Sequence, residues 1–385
     1  MTSGLAVDPV ALLSDLIRCA SVTPTEAGVF DVLERALTPL GFTVTRLRFE
    51  GDGSYPVDNL FATRGTSGPH LLFGGHTDVV PPGDRSLWTH DPFGAEIVED
   101  VLYGRGAVDM KSAIAAFVAA FANAPQTGRI SLAITNDEEA DGINGTAKLM
   151  QWAADQGHRF DFAIVGEPSA TARVGDSIKV GRRGSLNGRI TVTGVQGHVA
   201  YPQKALNPLP VAATLISALS GTLDDGSEHF EASNLEFTSV DVGNAVTNVI
   251  PATVTLAFNV RYNDHWTPQS IEEAIREGID SQDDEGTTIA FEVLGAPSRS
   301  FLSPTTGTVE LLAQVIEAET GARPEFSTGG GTSDARFIAQ YCPVVECGLP
   351  GPTMHKADEC VPLADVRALT SLYAAFMRRF LGGSA

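Results

Sequence analysis

Cysteine is scarce: Cys19, Cys342, Cys347 and Cys360 are the four in 385 residues. None belongs to a Cys-x-x-Cys pair, so neither a zinc ribbon nor a dithiol redox motif is suggested. Free thiols in a reducing compartment are the expectation. No apolar run approaches the ~20 residues that a membrane-spanning helix needs. Met1 to Pro9 lacks the basic region followed by an apolar stretch that marks a secretory signal. From these absences the expectation is a cytoplasmic protein. Cations are also in short supply, with 26 Lys and Arg against 47 Asp and Glu and a formal net charge of −21. A phosphate backbone demands a basic surface, so the balance argues against a nucleic-acid partner. It favours solubility. An anionic substrate would need Arg or Lys concentrated at its site to overcome the general field.

The chain is not short of core-forming residues. Hydrophobic residues make up 43% and charged residues 19%, a globular balance, and the length suffices for two domains. Pro9 to Cys19 and Glu26 to Leu40 have helical apolar spacing, and Phe42 to Phe49 has the alternation of a strand. Three short apolar runs follow, each the length of a buried strand. Leu71 to Phe73 leads into Gly74-Gly75-His76-Thr77-Asp78. Ile130 to Thr135 leads into Asp137-Glu138-Glu139. Phe162 to Val165 leads into Gly166-Glu167-Pro168. A helix over Met110 to Asn123 follows directly after Asp109.

From Leu186 the pattern changes to strand, helix, strand, strand, helix, strand. Val254, Leu256, Phe258 and Val260 alternate with polar or small neighbours, as do Ile289, Phe291 and Val293. Such alternation means a sheet covered on one face only, and the order is that of a split βαβ unit. Its helices fall near Pro210 to Leu223 and Pro268 to Ile279. Val309 to Thr320, Pro343 to Glu346 and Leu363 to Leu381 then read as helix, buried strand and terminal helix. The expected organisation is an α/β catalytic domain with a mixed sheet, residues 1–180 and 295–385. It is interrupted by a smaller α+β, ferredoxin-like domain over residues 181–294.

The side chains that close the three apolar runs are the chemistry. Ligands of open α/β sheets bind beyond the carboxyl ends of the strands. There stand His76, Asp78, Glu138, Glu139 and Glu167, with Asp109 before a helix and His355 far downstream. Oxygen and imidazole donors without thiolate suit zinc, cobalt or manganese. They are too many for one ion and enough for two, and a carboxylate bridging two ions ~3.5–4 Å apart is a known arrangement for hydrolysis. Each residue alone has a plainer reading: a surface histidine, a solvated Glu-Glu pair, or, for Asp109, the N-cap of the following helix. The case rests on their convergence.

GGHTDVVPPGD (Gly74 to Asp84) resembles the signature of the aminoacylase/carboxypeptidase group of di-zinc metallopeptidases. LYGRGAVDMKSAIAAF (Leu102 to Phe117), TNDEEADGINGT (Thr135 to Thr146) and VGEPS (Val165 to Ser169) resemble its further blocks. IKVGRRGSLNGRITVTGVQGHVAYP (Ile178 to Pro202), TNVIPATVTLAFNVRY (Thr247 to Tyr262), STGGGTSDARFIA (Ser327 to Ala339) and HKADECVP (His355 to Pro362) resemble members that remove an acyl group from acidic amino acids. The resemblance implies two zinc ions per subunit, with cobalt able to substitute. His76, Asp109 and Glu167 would hold one; Glu139 and His355 would hold the other, with Asp109 as the bridge. Asp78 would accept from the ring of His76 and fix its tautomer, and Glu138 would be the general base and then the acid. His198 would reach the active site of a partner subunit, which makes the inserted domain a homodimer interface. For an anionic substrate with several carboxylates, Arg182, Arg261 and Arg336 would supply planar forks. Asn248, Thr332 and Ser333 would hydrogen-bond it. One segment departs from the group: where an Asn-x-Thr-Ile stretch precedes the final histidine, this chain has Gly348 to Met354 without an asparagine.

Two other readings remain open. A deacetylase or carboxypeptidase of the same group would keep the same metal site. An inactive dimeric binding protein on the same fold would need a lost ligand or base, yet all seven residues from His76 to His355 are present.

Overall fold

The three apolar runs become neighbouring strands in the structure, a computed structural model that describes residues 7–122 and 127–382. His70–His76 pairs in parallel with Arg129–Thr135 on one side and with Phe162–Val165 on the other. All three are buried along nearly their whole length, as their unbroken apolar sequences require. They sit inside an eight-stranded mixed sheet. Its order is Thr43–Gly51, Ser54–Arg64, Arg129–Thr135, His70–His76, Phe162–Val165, Val344–Glu346, Ser177–Lys179, Glu325–Ser327. The first two strands run antiparallel to their neighbours and form one flank.

The helix Lys111–Phe121 has no polar face, because every residue of it is buried. It packs among Pro9–Arg18, Leu363–Leu381 and the His70–His76 strand. Phe117 packs tilted against Phe73 at 4.2 Å and meets Tyr373 at 5.6 Å; burial of one such ring contributes roughly 1.5–3 kcal/mol. Met110 occupies the N-cap without a side-chain hydrogen bond, so the capping reading of Asp109 does not hold. Asn123, the expected end of this helix, lies outside the described residues, as do the first six residues of the segment read for a signal. The helix expected over Glu26 to Leu40 is Val29–Leu37 followed by a single 3-10 turn, Thr38–Leu40. Gly28 at its N-cap has φ 82°, a left-handed conformation that glycine adopts without steric cost.

The chain divides into two compact units: Met1–Val180 with Ser303–Ser327 and Ser333–Ala385, and Gly181–Leu302 with Thr328–Thr332. The smaller unit runs past the expected end at residue 294. Its strand Thr288–Ser298 stays paired as far as Ser298 opposite Ser185, and Phe301–Leu302 pairs back onto Gly181–Arg182. Its sheet has the order Gly221–Thr222, Asn234–Asp241, Thr253–Tyr262, Gly184–Thr193, Thr288–Ser298. The four long strands therefore follow the arrangement of a split βαβ unit. Helices Pro208–Leu219 and Pro268–Asp280 cover one face, and Thr267 and Ser270 close a reciprocal capping box on the second. Strand Thr253–Tyr262 alternates buried and half-buried residues along its whole length, the one-faced burial that its sequence predicts. All four cysteines are free thiols. Among the described residues no helix is long and apolar enough to cross a membrane.

Candidate metal centre

Parallel register places the carboxyl ends of three adjacent strands on one edge. His76 lies opposite Thr135, and Gly74 lies opposite both Ala133 and Val165. The chain therefore delivers His76, then Glu138 and Glu139 beyond Thr135, then Glu167 beyond Val165, to one side of the sheet. Two glycines make the approach possible. A Cβ on Gly166 would stand 2.6 Å from both Ala113 Cβ and Met110 Cε, and one on Gly348 would stand 2.4 Å from the carbonyl oxygen of Glu167. The second contact seats the segment that leads to His355 directly against the backbone of Glu167.

The side chains meet as two arcs that share Asp109. Its Oδ1 is 3.1 Å from Nε2 of His76, which is 3.5 Å from Oε1 of Glu167. Its Oδ2 is 3.3 Å from Nε2 of His355, which is 3.0 Å from Oε1 of Glu139. Donor atoms of His76, Asp109 and Glu139, and those of His76, Glu138 and Glu167, each lie within 4.8 Å of one another. Asp109 is 7% exposed and Glu167 8%, while His355 stands at the rim with φ 61°, a strained backbone for a residue with a Cβ.

Asp78 behaves differently from expectation. The hydrogen bond to Nδ1 of His76 is accepted by the backbone carbonyl of Asp78 at 3.0 Å; the carboxylate lies farther off, at 3.6 Å. That carboxylate instead accepts the backbone N–H of Glu138 at 3.2 Å, the N–H of Glu139 at 3.0 Å and the hydroxyl of Thr23 at 2.8 Å. It therefore fixes the turn that separates two adjacent glutamates. The ring is still oriented, with Nδ1–H turned away and Nε2 directed at Asp109.

The electrostatics of the cluster favour a bound cation. Burial, reinforced by the carboxylates of Asp109 and Glu138, pushes Glu167 well above the ordinary glutamate range. Burial does the same to Glu138, where Asp334, Asp109 and Glu139 add to it against the opposing pull of His76. Hydrogen bonds to Asp109 and Glu139 raise His355 to about 10. Burial opposes charging of His76, but its hydrogen bond to Asp109 and the nearby Asp78 carboxylate prevail and raise it. Glu167 Oε1 is buried, with no hydrogen-bond partner among the described residues, an orphan that normally signals a further ligand. Hard oxygens and imidazoles around an orphaned carboxylate fit a divalent cation.

The remaining expected residues are scattered. His198 and Asn248 come together on a two-stranded ribbon of the smaller unit. His198 pairs with Val249, and the N–H of Val199 donates to the carbonyl of Asn248 at 3.1 Å. Both side chains are exposed. Nδ1 of His198 accepts from the N–H of Ala200 at 3.1 Å, which leaves the ring proton on Nε2. Arg182 is buried; its Nη1 donates to the carbonyl of Gly329 at 3.0 Å and lies against Gly330, where a Cβ would come within 2.3 Å. It therefore holds the glycine-rich turn that carries Thr332. Arg261 lies opposite Ser185 and Asn234, half-buried. Ser333 is 2% exposed and gives its hydroxyl to the buried carboxylate of Glu346, so it faces inward. Arg336, in the larger unit, stacks over Phe337 at 4.5 Å, with Nη2 beside Gly142.

Sequence reading missed several residues. Asp334 is buried and accepts the hydroxyl of Thr146 at 2.6 Å, at the start of the helix beyond the Glu138–Glu139 turn. Lys111 is fully buried, its Nζ donating to the carbonyls of Leu16 and Cys19 at 3.0 Å each. Glu359 is fully buried beneath the Asp109 loop. Glu359 and Arg105 lie inside blocks already singled out, but neither spacing nor residue type reveals which charge is buried.

The sheet edge and its carboxylate–imidazole cluster define a metal-dependent hydrolase. The chain belongs to peptidase family M20/M25/M40, whose sequence pattern matches residues 72–379, and membership implies binding of divalent metal at such a cluster. Two proteins of Rhodopseudomonas palustris, strains BisA53 and BisB18, are each 50% identical to it. Each match covers 97% of this chain and 98% of the relative, and both relatives are named succinyl-diaminopimelate desuccinylase. Among solved structures, an M20 family metallo-carboxypeptidase from Sulfolobus solfataricus superposes with a TM-score of 0.79 at 16% identity, over 96% of this chain and 98% of that one. That likeness is one of fold.

Proposed function

We propose that this chain hydrolyses the amide of N-succinyl-L,L-2,6-diaminopimelate to succinate and L,L-diaminopimelate, a step of diaminopimelate and lysine biosynthesis. The observation that carries the reading is 50% identity across 97% of the chain to proteins named for that reaction. The paired arcs around Asp109 supply chemistry to match. His76, Asp109 and Glu167 would hold one zinc ion and Asp109, Glu139 and His355 the second, with cobalt able to substitute at either. When bound, the two ions polarise the scissile carbonyl and acidify the attacking water.

The chain's own groups do the rest. Glu138, whose carboxyl is held high by burial, takes the proton of the attacking water on a carboxylate oxygen. It returns that proton to the leaving nitrogen. The Asp78 carboxylate keeps the backbone of Glu138 and Glu139 in the turn that separates the two roles. His198 of the partner subunit donates its Nε2 proton to the developing oxyanion. Its exposed ribbon also carries Val199 and Tyr201, 52% and 54% exposed, apolar surface that a second copy of the inserted unit covers. Arg182, Arg261 and Arg336, with Asn248 and Thr332, bind the substrate's carboxylates and backbone. Ser333, turned inward to Glu346, makes no substrate contact in this reading. No nucleic acid or membrane enters the reading, and the enzyme works in the cytoplasm.

A panel of N-succinyl-diaminopimelate, N-acetylornithine and dipeptides, assayed with added zinc, tests it. The succinylated substrate is expected to turn over fastest. Faster cleavage of acetylornithine would assign the chain to the deacetylases of the same family, and dipeptide preference to its carboxypeptidases. Inactivity on every substrate would favour a binding protein.

A further inference from the structure

Glu359 lies four residues beyond His355 and has no exposed surface. Its Oε2 accepts from Nη1 of Arg105 at 2.7 Å and from the N–H of Gly106 at 3.1 Å. Its Oε1 accepts the N–H groups of Val108 at 2.8 Å and Asp109 at 3.3 Å. The same Nη1 of Arg105 also donates to the carbonyl of Lys356 at 3.1 Å, and the backbone carbonyl of Glu359 accepts from the N–H of Gly104 at 2.8 Å. A single ion pair thus ties the 104–109 segment, which ends in Asp109, to the 355–359 segment, which begins with His355. The latter is closed on itself by Thr353, whose hydroxyl and Cys360 exchange hydrogen bonds at 3.1 and 3.2 Å.

We propose that Glu359 is a positioning residue of the metal centre, acting with Arg105 to set the distance between Asp109 and His355. It rests on the reading of those two residues as metal ligands. Stability is a poor reason for the pair, because burying two charges is costly and an apolar replacement of the pair is often neutral or better. Direction is what an apolar pair lacks. A carboxylate gripping consecutive N–H groups leaves the Asp109 backbone little freedom, and one guanidinium nitrogen of Arg105 donates both to that carboxylate and to the Lys356 carbonyl, holding the two segments together. Such outer partners typically contribute about 10–100-fold to metal affinity. Lys356 N–H donates to the carbonyl of Thr353 at 3.1 Å, so the strained His355 backbone is braced from both sides.

Zinc affinity of the full-length protein, measured by competition with a chromophoric chelator, tests the proposal in Glu359→Gln and Arg105→Lys. Melting is followed with and without zinc. Glu359→Gln is expected to weaken zinc binding by about 10–100-fold and to shrink the zinc-dependent rise in melting temperature. Arg105→Lys keeps a cation and should fold; it is expected to shift both in the same direction, less far. A purely structural pair would lower the metal-free melting temperature and leave affinity unchanged. Parental affinity in either folded variant therefore overturns the proposal. Asp109→Ala is run beside them: undiminished zinc binding there sinks the ligand assignment itself, whereas loss there with parental affinity in Glu359→Gln sinks only the role of Glu359.

Discussion

Nε2 of His355 lies 3.0 Å from Oε1 of Glu139, although 216 residues separate them in the chain. The pair closes the outer arc of the cluster, since the same nitrogen is 3.3 Å from Oδ2 of Asp109. His355 reaches this place from a loop after the Val344–Glu346 strand, and Glu139 from the turn after Arg129–Thr135. The site is therefore assembled from distant parts of one unit, and each part has its own test.

Removing His355 and removing Glu138 should give opposite signatures. His355→Ala deletes a ligand, so one of the two proposed ions should be lost, with an affinity cost above the ~10–100-fold of an outer partner. Glu138→Gln keeps the ligand set and removes only the proton carrier. Its metal content should stay parental while kcat drops by about 10²–10⁴-fold. Metal analysis by mass spectrometry beside initial rates separates the two. Full metal content in His355→Ala contradicts the two-arc assignment.

Gly348→Ala should strike the site through the backbone. The added methyl would stand 2.4 Å from the Glu167 carbonyl and 2.6 Å from that of Gly166, and neither is a flexible side-chain end. Overpacking of this kind costs about 1–3 kcal/mol. Chemical denaturation should show that loss, and zinc affinity should fall with it because Glu167 is the residue displaced. Unchanged denaturation midpoint and affinity would mean that the two segments part without consequence.

Much of this was legible in the sequence for a physical reason. A strand buried on both faces must be apolar, so the polar residues that end it stand out; that is why His76, Glu138, Glu139 and Glu167 could be named before any coordinates. The one-faced sheet of the smaller unit was equally plain in the alternation from Val254 to Val260. Hydrogen-bond direction was not legible. Asp78 was expected to serve the His76 ring, but its carboxylate serves two backbone amides, and a backbone acceptor has no sequence signature. Ser333 was expected to face substrate, yet its partner Glu346 is a buried acidic side chain inside an apolar strand. The Arg105–Glu359 pair joins segments 254 residues apart, a separation at which one sequence carries no pairing signal.

His70 should give the fold a pH dependence separate from the metal centre. It is fully buried, with Nδ1 donating to the Arg159 carbonyl at 2.7 Å and Nε2 2.8 Å from the Ser131 hydroxyl. Burial lowers it to about 4 from an ordinary value of 6.5. The folded state thus prefers the neutral ring. Its contribution is fully present above pH 6.5 and is lost as pH falls toward 4, by at most about 1.4 kcal/mol per pH unit. Urea melts of metal-free protein at pH 8, 6.5 and 5 should show a steeper acid loss for the parent than for His70→Gln, which is expected to be less stable at pH 8. Parallel pH curves would remove His70 from the account.

Zinc uptake should release protons and strengthen as pH rises. In the metal-free site Glu138 and Glu167 are pushed toward their neutral forms, and His355 and His76 toward their charged ones. The cluster thus holds, near neutral pH, protons that share the space between the same nitrogens and oxygens that a cation would occupy. A ligated cation needs its imidazoles neutral and its carboxylates ionised, so Glu167, His76 and His355 must give up their protons on binding. Calorimetric titration of metal-free protein with zinc, in two buffers of different ionisation enthalpy, measures the number released. A positive count at pH 7, with affinity higher at pH 8 than at pH 6, is the expected result. Binding that releases no protons and ignores pH would mean that the ion settles somewhere other than between Asp109, His76 and His355.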